Sequence, residues 1–166
     1  MPRIRPATPS DVPLIRALIS ELATYEREPH SVKITDAQLI EDGFGPERYY
    51  ECLIAEHDDA PAGFALFFPI YSTWQGRSLH LEDLFVRPQF RGHGIGKALL
   101  NRVAAIAVER ACARLQWDVL NWNQPAIDFY RSLDAVMLDD WRRMRVTGAA
   151  LAALASSTEA ASEATA

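Results

Sequence analysis

The stretch Leu81-Glu-Asp-Leu-Phe-Val-Arg-Pro-Gln-Phe-Arg-Gly-His-Gly-Ile-Gly-Lys-Ala-Leu-Leu100 decides the fold, because it reads as a strand running into a glycine-rich turn that opens a helix. Leu84, Phe85 and Val86 form the apolar strand, and Pro88, which cannot donate to a sheet ladder, marks its end. Arg91-Gly92-His93-Gly94-Ile95-Gly96 then has glycine at every second position, which removes Cβ atoms and permits positive φ. Behind it Ile95, Ala98, Leu99, Val103 and Ile106 recur at helical spacing, so the glycines sit at a helix N-terminus. The unpaired N–H groups and the positive dipole end there suit a phosphate or pyrophosphate.

Two phosphate loops are excluded by their spacing. A Walker loop requires Ser or Thr after Gly-Lys, whereas Gly96-Lys97 is followed by Ala98, and Arg91 stands where its first glycine belongs. A dinucleotide fingerprint counted from Gly92 or Gly94 puts its third glycine on Lys97 or Leu99. The pattern Arg/Gln-x-x-Gly-x-Gly/Ala fits without a departure, and in this the chain resembles the acetyl-CoA pyrophosphate loop of the GNAT N-acetyltransferase superfamily.

The 166 residues suffice for one domain with its own core, and 49% apolar with 23% charged residues are ordinary globular values. A net charge of −5, with no basic cluster interleaved with aromatics, argues against nucleic acid and suits a cationic substrate. Cys52 and Cys112 lack metal-ligand spacing, His30, His57, His80 and His93 are scattered, and no metal is expected. The longest apolar run, near residues 62–71, is too short to cross a bilayer and no signal-like segment opens the chain, so a cytoplasmic protein is expected.

In chain order, a strand at Arg3-Ile4-Arg5 precedes a helix capped by Thr8 or Ser10, with Val12, Ile15, Leu18, Ile19 and Leu22 as its stripe to about Tyr25. A second helix is expected from Thr35, its cap, to Asp42, with Gly43 as stop. Strands follow at residues 50–56, 62–71 and 78–86, the last two joined by Ser72-Thr73-Trp74-Gln75-Gly76. Leu115 to Leu120 alternates as a half-exposed strand, Asn123 caps a helix from Gln124 to Ser132, and Met137 with Arg142 to Val146 closes the sheet. The expected fold is α/β (α+β), a mixed, mostly antiparallel sheet flanked by helices. A domain over residues 1–146 would be followed by an Ala/Ser-rich segment, helical to about Leu154 and disordered beyond.

Over roughly residues 3–146 the chain is similar to the spermidine/spermine branch of that superfamily. The resemblance is carried by Ile4-Arg5-Pro6-Ala7-Thr8, Glu21-Leu22-Ala23-Thr24-Tyr25-Glu26, Glu41-Asp42-Gly43-Phe44-Gly45, Leu81-Glu82-Asp83-Leu84-Phe85-Val86 and Trp122-Asn123-Gln124-Pro125-Ala126-Ile127-Asp128-Phe129-Tyr130. It implies the order β1-α1-α2-β2-β3-β4-α3-β5-α4-β6-β7, a homodimer, and acetyl-CoA as cosubstrate for a small-molecule primary amine, without nucleic acid or membrane. Backbone of Leu84, Phe85 and Val86 would pair with the pantetheine amides, and Arg91, Gly92, His93, Gly94, Ile95, Gly96 and Lys97 would contact the pyrophosphate. Asn123, Gln124, Pro125, Ala126 and Tyr130 would complete the cofactor side.

The chemistry agrees with that resemblance. An alkylammonium of pKa about 10.4 must lose a proton before it can attack a thioester, and Glu82 is the candidate to take it, directly or through a water. Tyr130 resembles the family's acid for the departing thiolate, since a phenol and a thiol have neighbouring pKa values of about 10 and 8.5. Tyr25, Glu26, Ser72, Trp74, Gln116, Trp117 and Asp118 match substrate-side positions, with Asp139 or Asp140 as a distal acid. Polyamine-acetylating members have an aspartate where this chain has Ser72; Ser-Thr resembles the thialysine Nε-acetyltransferase-like members, whose substrates are lysine-like. A lysine-like amino acid is therefore expected ahead of a polyamine, by direct attack in a ternary complex. A fold that binds CoA as a sensor without turnover is the reading of another class. Asp134 replaces the glycine usual after Phe-Tyr-x-x-x and is expected to keep the left-handed turn.

Overall fold

The computed structural model describes residues 2–163. They fall into two compact units, one ending at Val119 and one starting at Leu120. The first is a five-stranded sheet in the order β1-β2-β3-β4-β5, made of Arg3–Pro6, Glu51–His57, Ala60–Ser72, Gly76–Val86 and Arg114–Trp117. The first three pairs are antiparallel, and β4 with β5 is parallel.

Helices α1 (Val12–Tyr25) and α2 (Asp36–Phe44) bury Val12, Ile15, Leu18, Leu22 and Leu39 against Cys52, Ile54, Phe64, Leu66 and Phe85 of the sheet. The alternate residues Leu53, Ala55, Ala65 and Phe67 are buried too, as the strand pleat requires when both faces are covered. Helix α3 (Ile95–Glu109), whose Leu99 and Val103 are fully buried, packs across β3 and β4.

Local chemistry sets the boundaries. Thr8 caps a 3-10 turn, Pro9–Asp11, ahead of α1, and Asp11 accepts from its N–H and hydroxyl, both at 2.8 Å. Thr35 caps α2 and accepts from Gln38 N–H at 3.2 Å. Gly43 does not stop α2; it lies inside the helix, where a Cβ would collide with the Tyr50 ring, and Gly45 is the C-cap. Helix α3 is capped by Gly94 at φ 72°, with Gly92 at φ 82°, the left-handed region the alternate glycines anticipated.

Strand β5 ends at Trp117, three residues before the expected Leu120, because its pairing with β4 stops at Leu81. In the second unit α4 spans Gln124–Arg131 and α5 spans Gly148–Glu163, so the alanine-rich segment stays helical past Leu154; residues 164–166 of the expected tail lie outside the described residues. Asp134 has φ 61° and continues the turn from Arg131, as expected. The strands expected at Met137 and Arg142–Val146 are not formed. A strand needs a neighbouring ladder, and among the described residues none reaches this segment, which leaves Val136, Leu138, Trp141 and Met144 exposed.

The guanidinium of Arg5 grips Asp11 through two bonds of 2.7 and 2.8 Å and Glu56 through a third of 2.7 Å, tying β1, β2 and the entry to α1. This holds the Asp11 carboxyl well below its usual range. A depressed carboxyl contributes stability above its unfolded pKa of about 3.9 and loses it as pH falls. Asp11→Asn should cost about 2 kcal/mol at pH 7 and lower Tm by about 4–8 °C. In thermal melts as a function of pH, the difference from wild type should begin to shrink below about pH 4.

Candidate active site

The pairing of β4 changes at one residue. Leu66 faces Asp83 and Phe67 faces Leu81, so Glu82 is the extra residue of a bulge. A bulge bends its strand and re-aims a side chain, and the Glu82 carboxylate is 47% exposed between neighbours that are not. On the other side of β4 the ladder with β5 ends at Leu81 and Trp117. Residues 82–86 therefore have an edge without a strand neighbour among the described residues, which is what an added strand of pantetheine amides needs.

Carboxylates gather around the bulge. Glu26, just past α1, is raised by burial and then by the charge of Glu82. Asp83 is half-buried and is pushed from 3.8 up to about 7, by burial first and then by Glu82 and Glu26. The spot is built for a cation, and a group titrating near neutrality adjoins it. One imidazole joins these acids. His80 Nε2 lies 3.3 Å from Glu82 Oε2 and 3.9 Å from Asp118 Oδ2, with the His80 side chain 8% exposed. Gln116 and Trp117 pair with His80 and Leu81 across the β4–β5 ladder and are half-buried.

At the glycine loop the first helical bond runs from Ala98 N–H to the Gly94 carbonyl at 3.0 Å. The N–H groups ahead of it in the first turn of α3 have no intrahelical acceptor, and the space where Cβ atoms of Gly92 and Gly94 would stand is open. Gly92, His93, Gly94 and Lys97 are exposed, so this backbone fits a diphosphate. Arg91 is arranged otherwise. Its Nε donates to the Val86 carbonyl at 3.0 Å, and its guanidinium lies 4.9 Å from the Tyr25 ring centroid and 6.0 Å from that of Phe85. It braces the loop against the end of α1. His93 stacks on His57, ring centroids 4.8 Å apart.

Ser72 is buried, and its hydroxyl accepts from the N–H groups of Trp74 and Gln75 at 3.3 and 3.2 Å. It closes the hairpin and offers no charge to a ligand, while Trp74 beside it is 85% exposed.

The second unit holds the remaining predicted residues. Asn123 Oδ1 accepts from Ala126 N–H at 3.4 Å and opens α4, with Gln124 and Pro125 in its first turn. Tyr130 is half-buried on the same helix, its ring 5.2 Å from that of Phe129. Asp139 and Asp140 are exposed.

The first unit thus brings Glu26, Glu82 and Asp118 into one neighbourhood, together with two residues that sequence reasoning missed, His80 and Asp83. A signal for His80 was present: Ser78, His80 and Glu82 are two apart on one strand, and strand alternation puts such residues on one side.

The model of the Acetyltransferase (GNAT) family matches residues 15–134. The chain is 40% identical to a thialysine N-epsilon-acetyltransferase of Mus musculus over 92% of its own length and 96% of that protein. It is 37% identical to spermidine/spermine N(1)-acetyltransferase-like protein 1 of Homo sapiens over 86% of its own length, which is 22% of that longer protein. An integron cassette protein from the mobile metagenome of V. cholerae superposes with a TM-score of 0.76 at 24% identity, over 93% of this chain and 97% of that one, a likeness of fold.

Raised acids cost stability when they ionise. With a folded pKa above the unfolded one, Asp83 keeps its proton in the folded chain between about pH 4 and 7 while the unfolded chain has lost it, so wild-type stability falls as pH rises through that window. Asp83→Asn removes the penalty. Its Tm should match wild type near pH 4 and exceed it by several degrees at pH 8 in parallel melts.

Proposed function

The chain belongs to the GNAT family of acetyltransferases, and on that premise we propose that it transfers the acetyl group of acetyl-CoA to the side-chain amine of a lysine-like amino acid such as thialysine. The observation that carries this reading is the acidic bulge: Glu82 is turned out half-exposed with Glu26 and Asp83 close enough to feel its charge, a spot that suits a single ammonium. A second ammonium finds no counter-charge at Ser72, whose hydroxyl closes the hairpin. A missing charge-assisted bond of about 1.5–3 kcal/mol disfavours a dication by roughly ten- to a hundredfold. The relatives named for thialysine agree with this preference, and the spermidine/spermine-like relative makes a polyamine the alternative.

The acyl carrier, when bound, supplies the thioester. First-turn N–H groups of α3 hold its diphosphate, and the free edge of Leu84–Val86 aligns its amides. Glu82 receives the ammonium and accepts its proton, directly or through a water, and Tyr130 returns a proton to the departing thiolate. Transfer is direct, within a ternary complex; the Cys52 thiol, buried in the core and raised far above its usual range, is unsuited to carrying an acyl group. The two free cysteines suit a reducing compartment, and we read the enzyme as cytoplasmic. The exposed Val136, Leu138, Trp141 and Met144 support a homodimer, in which a second copy covers them.

A kinetic panel of thialysine, lysine, spermidine, putrescine and protein N-termini tests the reading, with Tyr130→Phe beside wild type. Thialysine or lysine should exceed spermidine by about tenfold or more in kcat/KM. Tyr130→Phe should lower kcat by about 10²-fold. Spermidine as the best substrate would overturn the lysine-like assignment, and an unchanged Tyr130→Phe would remove the phenol from the reaction.

A further inference from the structure

We propose that His80 is a proton-relay residue, which takes from Glu82 the proton the substrate ammonium gives up. The inference rests on the acetyl-transfer reading above and extends it to a residue that reading does not use.

Proton balance leaves one proton to dispose of. When an alkylammonium is acetylated by a thioester, one N–C bond forms and one C–S bond breaks. Of the two protons leaving nitrogen, one ends on the thiolate and one is left over. The leftover proton reaches Glu82 first. A protonated Glu82 cannot serve the next ammonium, so the proton must move on, either to solvent from the half-exposed carboxylate or into the protein through His80 Nε2 at 3.3 Å.

Three features of His80 suit that task. An imidazole nitrogen can both accept and give up a proton, and Nε2 lies within 3.3 Å of the carboxylate it would take one from. The imidazolium formed is met by carboxylates, Glu82 from its own strand and Asp118 Oδ2 at 3.9 Å beyond β5, while Glu26 and Asp83 are the further acids close enough to feel the Glu82 charge. On β3, its register partner Phe68 stacks on it, ring centroids 5.1 Å apart and 34° between planes, which fixes the ring where Nε2 faces the bulge. Asp118 is 57% exposed and offers the way out to solvent.

A relay and a packing role separate by pH. His80→Phe keeps an aromatic ring against Phe68, and His80→Gln keeps a polar group toward Glu82; neither carries a proton. For both, kcat/KM for the best amine of the panel should fall by about 10²-fold at pH 7. The deficit should shrink to about threefold or less by pH 9.5, as more amine arrives already neutral, with CoA affinity unchanged by titration. A pH-independent deficit, or no deficit, in both variants would overturn the relay and leave the acetyl-transfer reading intact. A wild-type enzyme that acetylates no amine at any pH would overturn both.

Discussion

Beyond Leu81, β4 keeps its ladder with β3 and gives up the one with β5, and everything chemical in the first unit is arranged around that parting. The bulge at Glu82 lies at the same point, so one added residue turns a carboxylate out of the sheet just where the neighbouring strand leaves off. A free strand edge is ordinarily a liability, because its unpaired N–H and C=O groups invite another chain. Here the edge is short, bounded by the 3-10 turn Pro88–Phe90 and the glycine loop.

Such an opening must be held rigid from the other side. Arg87, the first residue after β4, bonds both carboxylate oxygens of Glu21 on α1, the shortest contact being 2.7 Å, and donates to the Pro61 carbonyl at 2.8 Å. Arg91, four residues on, reaches back to Val86 and the Tyr25 ring. The two arginines fasten the end of β4 to the last turns of α1, where Tyr25 and Glu26 stand. Loop and acidic spot are thereby set by the same contacts, and the distance between the glycine loop and the acid cluster follows from the backbone.

Much of this was legible in the residues. Alternate glycines anticipated two left-handed positions and a helix cap, because only glycine takes φ near +80° without cost, and Thr35 and Asn123 announced their helices through cap chemistry. The bulge was not legible, since one inserted residue leaves no compositional trace and the apolar pattern of β4 reads the same with or without it. Gly43 resembled a helix stop, yet what demands glycine there is the Tyr50 ring, a contact between distant segments. The segment 135–147 carries strand-like residues such as Val136, Met144 and Val146, but strand propensity is realised only where a ladder is offered.

The acid cluster also links stability to basicity. Passing a proton from an ammonium of pKa about 10.4 to an ordinary carboxylate near 4.3 is uphill by about 8 kcal/mol. Crowding carboxylates and burying them raises their proton affinity, and a group near 7, as Asp83 is, reduces the climb to about 5 kcal/mol. Burial first, and the neighbouring carboxylates after it, make ionised Asp83 costly to the fold at neutral pH, and the same free energy is what raises its affinity for a proton. A fold braced by Arg5 with Asp11 and by Arg87 with Glu21 can carry that cost. Removing Glu26 or Asp83, the two acids that burial raises, should therefore strengthen the protein at neutral pH, an effect set by the electrostatics around β4.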